Sequence, residues 1–188
     1  MRLYVKQSIV EGYNSRAVYK LKEIDEKFKI FKNGNSIIDL GAAPGSWSQY
    51  VSKKVKHAKI LSIDLLDFEK IEKIYQIKGD FTDDVSKKKI KDYYGSKVDV
   101  VMSDMAVNTT GNKNLDSINT SELCIEAMNF SKEVLKEDGK FISKIFMGST
   151  FNEIIYESKK IFKENKVFKP AASRKDSKES FIICKFLR

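Results

Sequence analysis

Two hydrophobic periods take turns along this chain. Short apolar runs with strand character fall at 36–40, 59–63, 74–78, 98–103, 140–146, 166–169 and 180–186. Between them, apolar residues recur at helical spacing, and helices are expected at 47–56, 84–93, 118–136 and 150–163. A further helix is expected from Ser15 to Phe28, where Val18, Leu21, Ile24 and Phe28 share one face. Strands separated by helices make βαβ units, so the expected fold is α/β with a mostly parallel sheet. Val98-Asp99-Val100-Val101-Met102 is apolar enough for a central strand covered on both faces. The polar stretch from Asn108 to Asn119, with Gly111 inside it, is expected to be a mobile loop. It follows a strand, at the carboxyl edge where open α/β sheets bind ligands. The 188 residues hold two prolines and no repeat. They are expected to form one domain, 1–188, with a short N-terminal segment at 1–14.

The strand at 36–40 runs into Gly41-Ala42-Ala43-Pro44-Gly45-Ser46-Trp47 and then a helix. Glycines in such a turn reach dihedrals that a Cβ obstructs and let the backbone approach a ligand. The spacing fits neither the dinucleotide fingerprint nor the P-loop. It resembles the S-adenosylmethionine loop of Rossmann-like methyltransferases, although a tight strand–helix connection alone would also explain it.

Further polar residues sit at strand ends. Asp64 ends the second strand, where an acid can accept hydrogen bonds from both hydroxyls of a ribose. Asp80 follows the third and is placed to accept from an adenine amine. Asp104 ends the fourth. Each alone is equally readable as a loop acid or helix cap; three in succession along one sheet edge point to a ligand. Lys144 interrupts Phe141-Ile142-Ser143-Lys144-Ile145-Phe146, an otherwise buried strand. An unpaired ammonium there is costly, so Lys144 either snorkels to the strand end or faces a cleft beside carboxylates. Glu179 opens the last strand.

Composition narrows the class. The charge of +9 favours a polyanionic partner, although lysine-rich stretches such as Lys87-Lys88-Lys89 also suit solvated helix faces. No apolar run approaches the ~20 residues a membrane span needs, and the N-terminus has no secretory apolar core. Cys124 and Cys184 sit among apolar residues and read as buried free thiols in a reducing compartment. His57, the single histidine, lies among lysines at the surface, and no His/Cys spacing suits a metal.

Taken together, Ser15-Arg16-Ala17-Val18-Tyr19-Lys20-Leu21, Asp39 to Tyr50, Gly79-Asp80-Phe81, Ser103-Asp104-Met105-Ala106, Lys144-Ile145-Phe146 and Ser173-Arg174 through Glu179 resemble the FtsJ/RrmJ family of ribose 2′-O-methyltransferases. Within it, the likeness is to the branch that modifies a uridine of bacterial large-subunit ribosomal RNA. It runs from about Ser15 to the C-terminus. The resemblance implies a Rossmann-like sheet of seven strands with the last antiparallel, S-adenosylmethionine as methyl donor and structured RNA as substrate. It implies a catalytic set of Lys20, Asp104, Lys144 and Glu179, with Lys144 central and favoured as base. Donor contacts map to Gly45, Trp47, Asp64, Asp80 and Asp104. Arg16, one turn before Lys20 on the same face, is expected to meet a phosphate. No metal is implied. A monomer acting in the cytoplasm on the large ribosomal subunit is expected, with an organellar setting as the alternative. A tRNA or cap 2′-O-methyltransferase and a silent RNA-binding protein of the same fold remain the competing functions. The chain departs from the family at Val107, where proline is usual, and at Asn14, where arginine is common.

Overall fold

A computed structural model of the chain describes residues 2–106 and 111–188. Seven strands form one sheet: β1 (Ser36–Leu40), β2 (Lys59–Asp64), β3 (Ile74–Lys78), β4 (Val98–Ser103), β5 (Leu135–Phe146), β6 (Phe162–Phe168) and β7 (Glu179–Leu187). The helices are α1 (Arg2–Val10), α2 (Val18–Phe28), α3 (Ser46–Lys54), α4 (Asp84–Tyr94), α5 (Lys113–Val134) and α6 (Phe151–Ile161). The sheet order is β3-β2-β1-β4-β5-β7-β6. The β7 strand is antiparallel to both β5 and β6, and the other pairings are parallel.

Alternation along the strands fills two cores. Ile38, Leu40, Leu61 and Ile63 point to one face and pack with Ile90 of α4, Phe130 of α5 and Ile154 of α6. Ile37, Ile60 and Met102 point to the other, against Val18, Leu21 and Ile24 of α2 and Trp47 and Val51 of α3. Strands covered on both faces read as continuous apolar runs, which explains Val98–Met102. The chain passes from β1 to β2 on one side and places β4 on the other. The crevice of the fold therefore opens beyond the carboxyl ends of β1 and β4.

Several boundaries differ from the sequence expectation. Residues 2–10 are helical, with Tyr4 against Tyr19 at 5.1 Å between ring centroids. The helix after Ser15 begins only at Val18, because the Ser15 hydroxyl accepts from Ala17 N (3.2 Å) and holds a turn there. Arg16 is in that turn, not on the helix. The stretch expected to be a mobile loop is helical from Lys113 to Asn119; Val107 and Asn108 lie outside the described residues. The β5 strand starts at Leu135, opposite Val98, and reaches its main register only after a shift that accommodates the polar Lys136 to Gly139. The β6 strand extends back to Phe162; as an edge strand it exposes Lys163, Glu164 and Lys166, which masks its period.

One buried acid ties α2 to α3. Asp25, 2% exposed, accepts from Ile30 N (2.9 Å) and Phe31 N (3.2 Å) with one oxygen. The other accepts from the Tyr50 hydroxyl at 2.8 Å and pairs with Lys54. Asp25→Ala orphans these donors and is expected to cost about 3 kcal/mol in urea unfolding. An unchanged unfolding midpoint would contradict this role, and Asp25→Asn, which can still accept from Ile30 and Phe31, is expected to lose less.

Candidate functional site

The glycine turn is shaped by close neighbours. Gly41 (φ 67°) and Gly45 (φ 101°) are left-handed, and a Cβ would come within 1.9 Å of Met105 Cγ and 2.5 Å of Ile71 Cδ1 respectively. No larger residue fits either position without displacing its neighbour. Asp64, half-buried at the end of β2, braces the turn. Its Oδ2 accepts from Ala43 N (2.9 Å) and its Oδ1 from Leu66 N (2.8 Å). Each oxygen retains a further lone pair for a ligand. Asp80 is exposed beyond β3 and accepts from Thr82 N (2.9 Å) and Thr82 Oγ1 (2.7 Å).

Trp47 follows the turn, in the first turn of α3. Its ring is buried, 5.7 Å from Phe181, and its Nε1 donates to Ala17 O at 3.0 Å. What this residue can offer a ligand is its main-chain N–H, in the first turn of α3.

Across the crevice, the structure brings Lys20, Asp104, Lys144 and Glu179 together. Lys144 Nζ lies 2.9 Å from Asp104 Oδ1, donates to Asp104 O at 2.9 Å and is 3.6 Å from Glu179 Oε2. Lys20 Nζ is 3.0 Å from both Glu179 oxygens and 3.6 Å from Asp104 Oδ2. Both lysines are buried, so Lys144 does not snorkel to solvent. The cluster balances two positive charges against two negative ones. Burial alone would lower the Lys144 pKa, but Asp104 and Glu179 outweigh it and hold it above the ordinary lysine value. Glu179 shows the mirror image: burial pushes it up, and Lys20, Lys144 and a hydrogen bond from Ser173 bring it below the usual carboxylate range. These carboxylates favour the ammonium form of Lys144, which serves as a hydrogen-bond donor. Asp104 Oδ1 is buried and, among the described residues, accepts no aligned hydrogen bond. Together with the narrow glycine turn and the Asp64 acceptor, it suits a ligand carrying hydroxyl and ammonium donors. S-adenosylmethionine is such a ligand.

Arg16 is not in the cluster. Its Nη1 donates to Ala172 O at 3.4 Å, in the turn that leads to β7. Three residues without an expected role adjoin the site. Ser173 donates to Glu179 Oε1 at 2.7 Å, and Glu23 accepts from Ala171 N (2.5 Å) and Ala172 N (2.9 Å). Asp39 is fully buried on β1 and accepts from Ser48 Oγ at 2.6 Å. Ser173 and Asp39 fall inside the quoted motifs; Glu23 shows only as one more charge on a helix. Among the described residues no cluster of His, Cys, Asp and Glu is arranged for a metal ion.

Burial pushes Asp39 up to about 7; the Ser48 hydrogen bond opposes this, and the charges of Asp104 and Asp64 add to it. A raised carboxyl pKa contributes stability below its unfolded value of about 3.9, and that contribution is lost as pH rises through about 7. The stability of the protein relative to Asp39→Asn is therefore expected to fall between about pH 4 and 7. Urea unfolding of both proteins at pH 5 and pH 8 checks this; an equal difference at the two pH values would contradict it.

Comparison with known proteins covers the whole of this arrangement. A family profile described as FtsJ-like methyltransferase matches residues 13–187. The ribosomal RNA large subunit methyltransferase E of Pelagibacter ubique is 67% identical over 186 residues, 99% of this chain and 92% of that protein. The protein of the same name from Rickettsia akari is 46% identical, over 96% of this chain and 82% of its own. Among solved structures, a ribosomal RNA methyltransferase from Plasmodium falciparum superposes with a TM-score of 0.82 at 32% identity. That superposition covers 93% of this chain and 98% of that one.

Proposed function

The chain belongs to the FtsJ-like methyltransferase family and is an S-adenosylmethionine-dependent methyltransferase, and from that premise we propose that it methylates a ribose 2′-hydroxyl in large-subunit ribosomal RNA. The observation that carries this reading is the buried, charge-balanced cluster of Lys20, Asp104, Lys144 and Glu179 beside the glycine turn. The shared name of two relatives that match nearly the whole chain supports the choice of RNA. A uridine is the target this reading names. It also takes residues 1–188 as one catalytic domain, acting as a monomer in the cytoplasm on the large ribosomal subunit.

S-adenosylmethionine, when bound, supplies a methyl group already activated on a sulfonium. The protein is left to align a weak nucleophile and manage one proton. In this reading Asp64 accepts from the donor's ribose hydroxyls and Asp80 from its adenine amine. Gly45 and the Trp47 N–H line the glycine turn, and Asp104 faces donor and cluster together. Lys144 donates to the 2′-oxygen, orients it and offsets the negative charge that grows there as the C–O bond forms, the C–S bond breaks and the hydroxyl proton passes to water. Lys20 and Glu179 hold Lys144 in place. The family resemblance favours Lys144 as base, but its raised pKa supports orientation and charge stabilisation. Positioning of this kind is worth about 7–11 kcal/mol, against roughly 10²–10⁴-fold for general-base help.

The test is transfer of labelled methyl from S-adenosylmethionine to large ribosomal subunits, free ribosomal RNA and tRNA. Label is expected in large-subunit RNA; label in tRNA alone would overturn the substrate. Lys144→Ala is expected to bind the donor and RNA yet turn over at least ~10²-fold more slowly. Lys144→Arg keeps a positive charge but presents a planar fork, and is expected to retain part of the activity. Near-normal turnover of the alanine variant would remove Lys144 from the reaction.

Arg16 is the proposed phosphate contact, beside the cluster on a chain of net charge +9. Arg16→Ala is expected to weaken RNA binding and to flatten log affinity against log salt by about one contact, leaving donor affinity unchanged. An unchanged slope and affinity would take Arg16 off the RNA face.

A further inference from the structure

We propose that Ser173 is a positioning residue for the cluster: its hydroxyl fixes the rotation of the Glu179 carboxylate, and Glu23 holds the turn that carries it. This inference rests on the methyl-transfer reading above, and its test separates the two.

Glu179 has to serve two lysines at once. Lys20 Nζ reaches both of its oxygens at 3.0 Å, and Lys144 Nζ lies 3.6 Å from Oε2. A glutamate side chain has a broad, nearly two-fold terminal torsion, so the carboxylate needs a further contact to keep Oε2 towards Lys144. Ser173 supplies it, donating to Oε1 at 2.7 Å from a site only 6% exposed.

Ser173 lies in a turn between β6 and β7, which is a poor place from which to hold a side chain unless the turn is itself fixed. Ser173 N donates to Pro170 O at 3.0 Å. Glu23, nearly one helical turn beyond Lys20 on α2, receives the N–H groups of Ala171 and Ala172 on its two oxygens. Arg16 donates to the Ala172 carbonyl between them. The helix that carries Lys20 thus also carries the clamp for the turn that orients the glutamate partner of Lys20. The charged groups facing Glu179 are Lys20 from α2 and Lys144 from β5, with Asp104 behind them at the end of β4. Ser173 adds a neutral donor that favours the ionised carboxylate.

The experiment compares Ser173→Ala, Ser173→Thr and Glu23→Gln with the unaltered protein. In the free proteins, carboxyl ¹³C NMR follows the titration of Glu179; steady-state kinetics with large-subunit RNA follows kcat and KM; thermal melting follows the fold. Ser173→Ala is expected to raise the Glu179 midpoint and lower kcat about tenfold, the scale of one hydrogen bond to a charged group. KM for RNA is expected to stay within about twofold. Ser173→Thr, which keeps a hydroxyl, is expected to restore both. Glu23→Gln can accept only one of the two N–H groups and is expected to show a smaller loss, not additive with Ser173→Ala. A folded Ser173→Ala protein with unchanged Glu179 titration and unchanged kcat would overturn the proposal. So would equal losses in the alanine and threonine variants with Glu179 unmoved, because that pattern reports packing alone. If Glu179 shifts as expected while the unaltered protein transfers no methyl group to RNA, the positioning role stands and the substrate reading falls.

Discussion

Lys144 is a buried ammonium on a strand whose neighbours Ile142 and Ile145 are fully buried, and much of the surrounding structure follows from having to neutralise it. A charge in that position is unfavourable unless partners surround it, and removing one partner of a buried pair commonly costs about 3–5 kcal/mol. The partners come from separate elements. Asp104 arrives at the end of β4, which pairs in parallel with β5. Glu179 arrives at the start of β7, whose antiparallel register sets Phe181 opposite Lys144 and Glu179 opposite Phe146. Only an antiparallel last strand brings its first residue to the carboxyl edge of the sheet. Lys20 then balances the second carboxylate from α2. Sheet order, strand direction and the docking of α2 meet at one cluster of four charges.

The same constraint connects the two halves of the site. The segment before α2 is sewn to the glycine turn. Asn14 Nδ2 donates to Pro44 O at 2.7 Å, the Ser15 and Ser46 hydroxyls share a hydrogen bond of 2.8 Å, and Trp47 donates to Ala17 O at 3.0 Å. Lys20 thus rides on an element tied to the turn proposed to hold the methyl donor. Displacing the turn would shift Lys20 relative to Asp104 and Glu179. An enzyme that works mainly by alignment needs such rigid coupling, since small errors in placement lose much of the rate. Asn14 also gives a physical reading of one departure from the family: the asparagine is committed to the turn and to Gln49.

Much of this was legible in the sequence, for reasons that also explain what was not. The strand runs, the glycine turn and the placement of Asp64, Asp80 and Asp104 at strand ends are local signals, and a doubly covered sheet fixes where its strand ends lie. Lys144 was conspicuous because it breaks an apolar run. Its charge state was not readable, since that depends on distances to Asp104 and Glu179, far away along the chain. The motif position of Trp47 does not reveal that its ring faces Phe181 and leaves its main-chain N–H as the group nearest a ligand in the turn. The α1 helix was missed because Leu3, Val5, Ile9 and Val10 remain exposed and leave no clean apolar face. Glu23 carries no signal of its own and Ser173 only its place in a motif; their role appears only when a turn between β6 and β7 is seen against α2.

Because the carboxylates hold Lys144 as an ammonium, its titration is the most direct test. The ¹³Cε resonance of Lys144 in the free protein, assigned by its loss in Lys144→Arg, reports the charge of its amine. No inflection is expected between about pH 6 and 9, with the proton retained beyond the ordinary lysine value of about 10.4. An inflection near neutral pH would contradict it, because the amine would then be free to take the 2′-hydroxyl proton and Asp104 and Glu179 would not hold its charge.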